Sequence, residues 1–233
     1  MNNTKHLVEN SKSFFHNDNI IAVTNRHLCS RPFMEQLERV CKLHPHAIVL
    51  REKDMPEAEY LSLARDVIAL CKEYDVPCIL HSFVNVAVQL NHPYIHLPLP
   101  ILEEYTAAPC QHFMPDVVST QSYKTTADYQ QFFKVIGTSV HSVEDAIKAE
   151  QLGATYMTAG HIFATDCKKG LPPRGLDFLK NVCDAVRIPV YAIGGINIAS
   201  NKSDNSVLSV PRLAEVMECG AAGGCIMSGM MRV

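Results

Sequence analysis

No stretch of this sequence approaches the roughly 20 consecutive apolar residues that a membrane-crossing helix needs. The first 19 residues, Met1 to Asn19, are polar and lack the basic start and apolar middle of a secretory signal. The nine cysteines are scattered, and no two of them form Cys-x-x-Cys. Several, among them Cys78, Cys183 and Cys225, lie in apolar segments. That suits reduced thiols in a cytoplasmic core and speaks against a disulfide framework or a zinc site. An excess of charge is also missing. A net charge of -3 gives no ground for expecting nucleic acid or an anionic membrane as partner. With 47% hydrophobic and 19% charged residues, the 233-residue chain has the composition of a soluble globular protein, and its length suits one domain.

What is present is a repeated alternation. Short apolar runs of strand type stand at Ile20–Thr24, Ala47–Leu50, Val76–Leu80, Tyr94–Leu97, Lys134–Ser139 and Thr155–Thr158, then from Val190 and from Gly224. Such runs read as buried parallel strands. Helical patterns between them predict βαβ units, and a count of eight argues for closure. The expected fold is therefore α/β: a single (β/α)8 TIM barrel over residues 20–233, behind an N-terminal extension at 1–19. Pro32 opens the first helix, and a long amphipathic helix spans Pro56 to Tyr74. After strand 5, Ser142 is the N-cap of a capping-box-like start, and Val143, Ala146, Ile147 and Leu152 form that helix's expected buried face. Residues 101–133 show no clean period; one helix at their start or end, with a surface loop, is expected. The chain stops at Val233, soon after strand 8, so the last helix is expected to be truncated, missing or replaced by other structure such as the N-terminal arm.

Polar groups gather at the strand ends, where barrels of this kind carry their chemistry. Gly194-Gly195 follows strand 7 and Ser228-Gly229 follows strand 8. Glycine admits φ > 0 and brings bare N–H groups close to a ligand, and the loops after strands 7 and 8 commonly bind phosphate. Gly194, Gly195, Met227 and Ser228 are thus a candidate phosphate cradle; the alternative is a tight turn that merely needs glycine. Arg51 and Lys53 lie two apart on an extended segment and point to one side. They can hold a carboxylate or phosphate, or else pair with Glu52 or Asp54. His81-Ser82 end strand 3, Ser139 and His141 end strand 5, and His161 and Lys168 lie on the long loop after strand 6. His141 is the sharpest candidate. It sits before the N-terminus of a capped helix, whose positive end favours a neutral imidazole that can take up a proton and return it elsewhere. Its alternative role is to help cap the helix. His96 reads as a satisfied barrel residue, and Cys167 as a loop cysteine with no committed base.

Leu50-Arg-Glu-Lys53, Gly137-Thr-Ser-Val-His-Ser142, Gly160-His-Ile-Phe-Ala-Thr-Asp-Cys-Lys-Lys-Gly170, Ala192-Ile-Gly-Gly-Ile196 and Ile226-Met-Ser-Gly229 resemble the thiamine phosphate synthase superfamily, in order along the chain. The two longest runs are most similar to its TenI-type branch, the thiazole tautomerases. That resemblance implies a cofactor-independent isomerase of thiamine biosynthesis, which converts a thiazole carboxylate phosphate to its aromatic tautomer. It implies His141 as acid/base; the strand-end residues Arg51, Lys53, Ser139, His161 and Lys168 are the expected substrate-binding residues beside the cradle, and no metal is expected. A phosphorylated thiazole would be the partner; a homodimer is left open. The synthases of the superfamily carry Asn-Asp after strand 3 and Gly-Gln-x-Asp after strand 4, which bind Mg²⁺ and pyrophosphate. Here those places read His81-Ser82 and Pro98-Leu99-Pro100, and Leu50 stands where the synthases have glutamine. Two alternatives remain: a thiamine phosphate synthase that joins pyrimidine to thiazole phosphate, and a non-catalytic regulator that binds a phosphorylated ligand.

Overall fold

The computed structural model describes residues 17–107, 132–199 and 208–233. Eight strands close into one parallel barrel in chain order: β1 (Ile20–Val23), β2 (Ala47–Leu50), β3 (Cys78–His81), β4 (Tyr94–Pro98), β5 (Val135–Val140), β6 (Tyr156–Gly160), β7 (Val190–Ile193) and β8 (Gly223–Ile226). Each lies within two residues of its expected place. Closure comes from β1 pairing with β8, Ile21 opposite Cys225. The helices are α1 (Phe33–Lys42), α2 (Glu57–Glu73), α3 (Val84–Gln89), α4 (Leu99–Ala107), α5 (Val143–Gln151), α6 (Gly175–Ala185) and α7 (Arg212–Glu218). Of the 1–19 extension only Asn17–Asn19 are described, as a 3-10 turn.

The two-residue period of a strand divides the apolar residues into two cores. Ile21, Val23, Val49, Ile79, Tyr156 and Tyr191 fill the inside of the barrel. Ile20, Ile48, Leu80 and Met157 face outward, against Leu37 and Val40 of α1, Val67 of α2 and Leu179 of α6. At Gly137 on β5 there is no room for a side chain: a Cβ there would lie 2.2 Å from Cζ of Tyr156. The tyrosine ring from β6 occupies that space instead.

Two features differ from the sequence expectation, and a third, the short end of the chain after β8, agrees with it. On α5 the buried residues are Ala146 and Ala149, while Ile147 is 40% exposed. The smaller alanines let the helix backbone settle on the sheet, and that turns the branched side chain outward. Pro98 stays in the β4 ladder opposite Ser139, and α4 begins at once at Leu99, so the helix expected within 101–133 starts earlier. Residues 108–131 of that stretch lie outside the described residues. After β8 the chain forms a 3-10 turn, Met230–Arg232, beside α1 where a last helix was to be looked for. Gln36 of α1 donates to the carbonyls of Met230 (2.7 Å) and Val233 (3.3 Å), and Met230 and Met231 are fully buried.

Candidate active site

The C-terminal ends of the strands form one mouth of the barrel. After β2, alternation sends Glu52 to the opposite side from Arg51, and Lys53 follows in a turn that the Met55 N–H closes onto the Glu52 backbone carbonyl (3.2 Å). Glu52 is only 2% exposed. Its carboxylate accepts the Thr24 hydroxyl (2.6 Å), the Arg26 backbone N–H (3.1 Å to each oxygen) and the Arg26 guanidinium (3.1 Å). Asp54 accepts from the same guanidinium (2.8 and 2.7 Å) and lies 2.8 Å from His27 Nε2. Both acids that were candidate partners for Arg51 and Lys53 are therefore engaged elsewhere. Among the described residues neither Arg51 nor Lys53 has an ion-pair partner. The Lys53 ammonium is held below the usual lysine range, first by desolvation, then by the charges of Arg51 and Lys168. Three cations thus converge on one side of the mouth, which is an arrangement for an anion.

Toward the barrel axis lies a polar chain. Tyr156 Oη is 2.9 Å from His96 Nδ1, His96 Nε2 is 2.9 Å from Ser139 Oγ, and Ser139 Oγ is 3.0 Å from Thr158 Oγ1. His81 stacks on His96 with ring centroids 5.4 Å apart, and its Nδ1 meets Ser82 Oγ at 2.7 Å. His96 is accordingly a satisfied barrel residue. Ser139 is tied into this chain from the floor of the mouth.

His141 follows β5. Its Nδ1 lies 2.8 Å from the Gly160 carbonyl, which can only accept. Nδ1 therefore carries the hydrogen, and Nε2 presents its lone pair. The helix cap is made by its neighbour: Ser142 Oγ accepts the Asp145 N–H (3.0 Å), and Asp145 reaches back to the His141 N–H (3.2 Å). The imidazole of His141 takes no part in capping and is exposed.

The loop after β6 begins with a cis bond between Gly160 and His161. His161 is half-buried, with Nε2 only weakly placed at 3.4 Å from the Leu171 carbonyl. Cys167 and Lys168 are exposed on a 3-10 turn, Asp166–Lys168. This loop lies over the glycines that follow β7. Gly194 has φ +97 and Gly195 φ +70, and a Cβ on Gly195 would stand 2.6 Å from the Ala164 carbonyl and from Phe163 Cβ. Here the turn does need glycine, on grounds of both backbone angle and space. Among the described residues the N–H groups of Gly195 and Ser228 also meet no acceptor, so they are free for a ligand.

Arg212, at the start of α7, was not legible as a site residue. Its guanidinium donates to the Gly195 carbonyl (2.8 Å) and lies 4.3 Å over the Phe163 ring. The one signal for it was a cation in the first turn of a helix, where the dipole disfavours one. Arg51 and Lys53, Ser139, His141, His161, Lys168, Gly194-Gly195 and Met227-Ser228 all lie at this end of the barrel, on β2, β5, β6, β7 and β8 or the loops after them. No hydrogen bond or ion pair joins the His141 side chain to Arg51, Lys53 or Ser228 among the described residues.

The strand ends where a hard dication would be expected in the resembling synthases offer it a poor donor set. After β3 stand His81 and Ser82, and after β4 Pro98, Leu99 and Pro100, with no carboxylate at either place. Mg²⁺ asks for oxygen ligands, carboxylates above all. These residues do not fit it.

A family model described as thiamine monophosphate synthase matches residues 20–230. A relative from Aquifex aeolicus, named putative thiamine-phosphate synthase 2, is 33% identical over 177 residues, which cover 76% of this chain and 84% of that protein. A thiamine-phosphate synthase from Clostridium tetani is 29% identical and covers 78% of this chain and 80% of its own. Among solved structures, a thiamine phosphate pyrophosphorylase from Pyrococcus furiosus superposes with a TM-score of 0.67 at 27% identity, covering 93% of this chain and 88% of that one.

Proposed function

The chain belongs to the thiamine monophosphate synthase family, and we propose that within it this protein acts on a phosphorylated thiazole as a cofactor-independent tautomerase. The observation that carries this reading is the set of strand ends at β3 and β4, which hold no carboxylate for Mg²⁺. The placement of His141 at the end of β5 supports it: Nδ1 is held on the Gly160 carbonyl (2.8 Å), which leaves Nε2 to serve as the base. In the proposed reaction Nε2 removes the proton from the ring carbon that bears the carboxylate. The same imidazolium then returns that proton to the exocyclic carbon, so the substrate is isomerised and nothing is lost or gained. Formation of the aromatic ring drives the step. Arg51, Lys53 and Lys168 supply the positive field for the carboxylate or phosphate, and Gly195 and Ser228 offer free N–H groups to the phosphate.

The comparisons favour a second reading. The relatives quoted above carry synthase names, and these support an alkyl transferase that forms thiamine phosphate better than they support a tautomerase. Both readings place the protein in thiamine biosynthesis. Incubating the purified protein with thiazole carboxylate phosphate and following the aromatic tautomer by its ultraviolet absorbance tests the first; turnover without added metal is expected. Adding the pyrimidine pyrophosphate and Mg²⁺ tests the second. Efficient Mg²⁺-dependent formation of thiamine phosphate, with no tautomerisation, would overturn the proposal in favour of the synthase.

A further inference from the structure

Glu52 stands between two candidate substrate-binding cations and yet pairs with neither. It belongs instead to a buried clamp. Thr24 Oγ1 donates to Glu52 (2.6 Å) and in the same position accepts the Arg51 backbone N–H (2.8 Å). The Glu52 carboxylate also binds Arg26 by both backbone N–H and guanidinium, while its carbonyl accepts the Met55 N–H (3.2 Å) and closes the turn beyond Lys53. The backbone is thus tied immediately before and after Glu52. With Glu52 anchored on the helix-facing side of the barrel wall, the strand period turns Arg51 to the other side, and Lys53 stands in the turn closed by the Met55 N–H.

We propose that Glu52 is a positioning residue: its buried clamp with Thr24 and Arg26 holds Arg51 and Lys53 toward the mouth as unpaired cations for an anionic substrate group. This rests on the reading that the mouth binds a phosphorylated substrate. The chemistry separates two roles for a carboxylate in this place. As a mere background charge, Glu52 would weaken anion binding, so its neutralisation would tighten it. As a positioning residue it promotes binding, so its neutralisation loosens it.

The test is calorimetric titration of the full-length protein with inorganic phosphate and with pyrophosphate, comparing wild type, Glu52→Gln and Glu52→Asp, with circular dichroism as the check on folding. Misplacing one charge-assisted contact gives about a tenfold rise in Kd. That rise is expected for Glu52→Gln, and a smaller rise in the same direction for Glu52→Asp, which keeps the charge but shortens the arm. With turnover, KM rises and kcat stays near wild type. If Glu52→Gln does not fold, Thr24→Val carries the same expectation, because it cuts the link to Arg51 and leaves the Arg26 pair intact. Unchanged or tighter anion binding in the folded variant overturns the inference alone. Wild-type protein that binds neither anion overturns the reading of the mouth and the inference with it.

Discussion

Lowering the pH from 7.5 to 5.0 should cost this barrel about 4 kcal/mol of folding stability. His81 and His96 lie stacked inside it, 6% and 3% exposed. Burial, then the charges of His96, Lys53 and Arg51, push His81 down to about 2; burial, then Lys53 and Arg51, push His96 down to about 3. In the unfolded chain each returns to about 6.5. Below that pH the unfolded state takes up protons that the folded barrel refuses, so stability is lost as the pH falls, and the loss continues until the folded values are reached. For one such group, the loss between pH 7.5 and 5.0 integrates to about 2 kcal/mol, and for two to about 4 kcal/mol. His92, lowered by its burial, adds to the effect in the same direction. Asp54 and Glu38, held low by Arg26 and by Lys42, give up their contributions only below about pH 4–5, where unfolded carboxylates protonate. The window above pH 5 therefore isolates the histidines. Against a typical total of about 5–15 kcal/mol, the change is large enough to move a urea midpoint plainly. The assay is urea unfolding at both pH values, in wild type and in His81→Gln. The glutamine removes one titrating ring, so the difference between the two pH values should shrink by about 2 kcal/mol whatever the variant costs at either one. A wild-type loss under about 1 kcal/mol, or the same loss in both proteins, would refute the reasoning.

Replacing His141 with asparagine should lower kcat about 10²–10⁴-fold while calorimetric binding of the thiazole phosphate persists; retained turnover would move the proton carrier to His161 or Cys167. Arg51→Ala and Lys53→Ala should each weaken substrate binding about ten- to a hundredfold, and wild-type Kd in both would remove these cations from the site. Ser228→Asp should raise KM by repelling the phosphate. It is a cleaner probe than a valine at Gly195, which would press on Phe163 and the Ala164 carbonyl before it met any ligand. Tyr156→Phe leaves His96 Nδ1 without its hydroxyl partner inside the barrel, at about 1–3 kcal/mol, or about 2–12 °C in Tm by scanning calorimetry; an unchanged Tm would mean that the bond contributes nothing.

The strands were legible because parallel strands buried on both faces are written as short unbroken apolar runs, and Ala47–Leu50 is one such run from end to end. The face of α5 was not, because a pattern of apolar residues does not say whether bulk or close approach wins, and Ala146 with Ala149 won by being small. At the mouth, the strand ends themselves could be read from the chain. What could not be read was which charges cancel. Arg26 and Glu52 meet across 26 residues when β1 pairs with β2, and Arg212 reaches Gly195 across 17 when α7 packs back beside β7; neither meeting is written in the local sequence. Likewise the bare residue at 137 carried no hint that a tyrosine from the next strand fills its place.

That exchange of space between β5 and β6 makes three residues answerable to one another. Alanine at 137 evicts the ring of Tyr156, and a ring trimmed to make room no longer carries its hydroxyl to His96. The substitutions open to each position depend on the other two, so single changes at 137, 156 or 96 should all be harmful, while a compatible trio changed together could be harmless. In laboratory evolution the centre of this barrel should therefore act as an inherited block, moving in one jump or not at all.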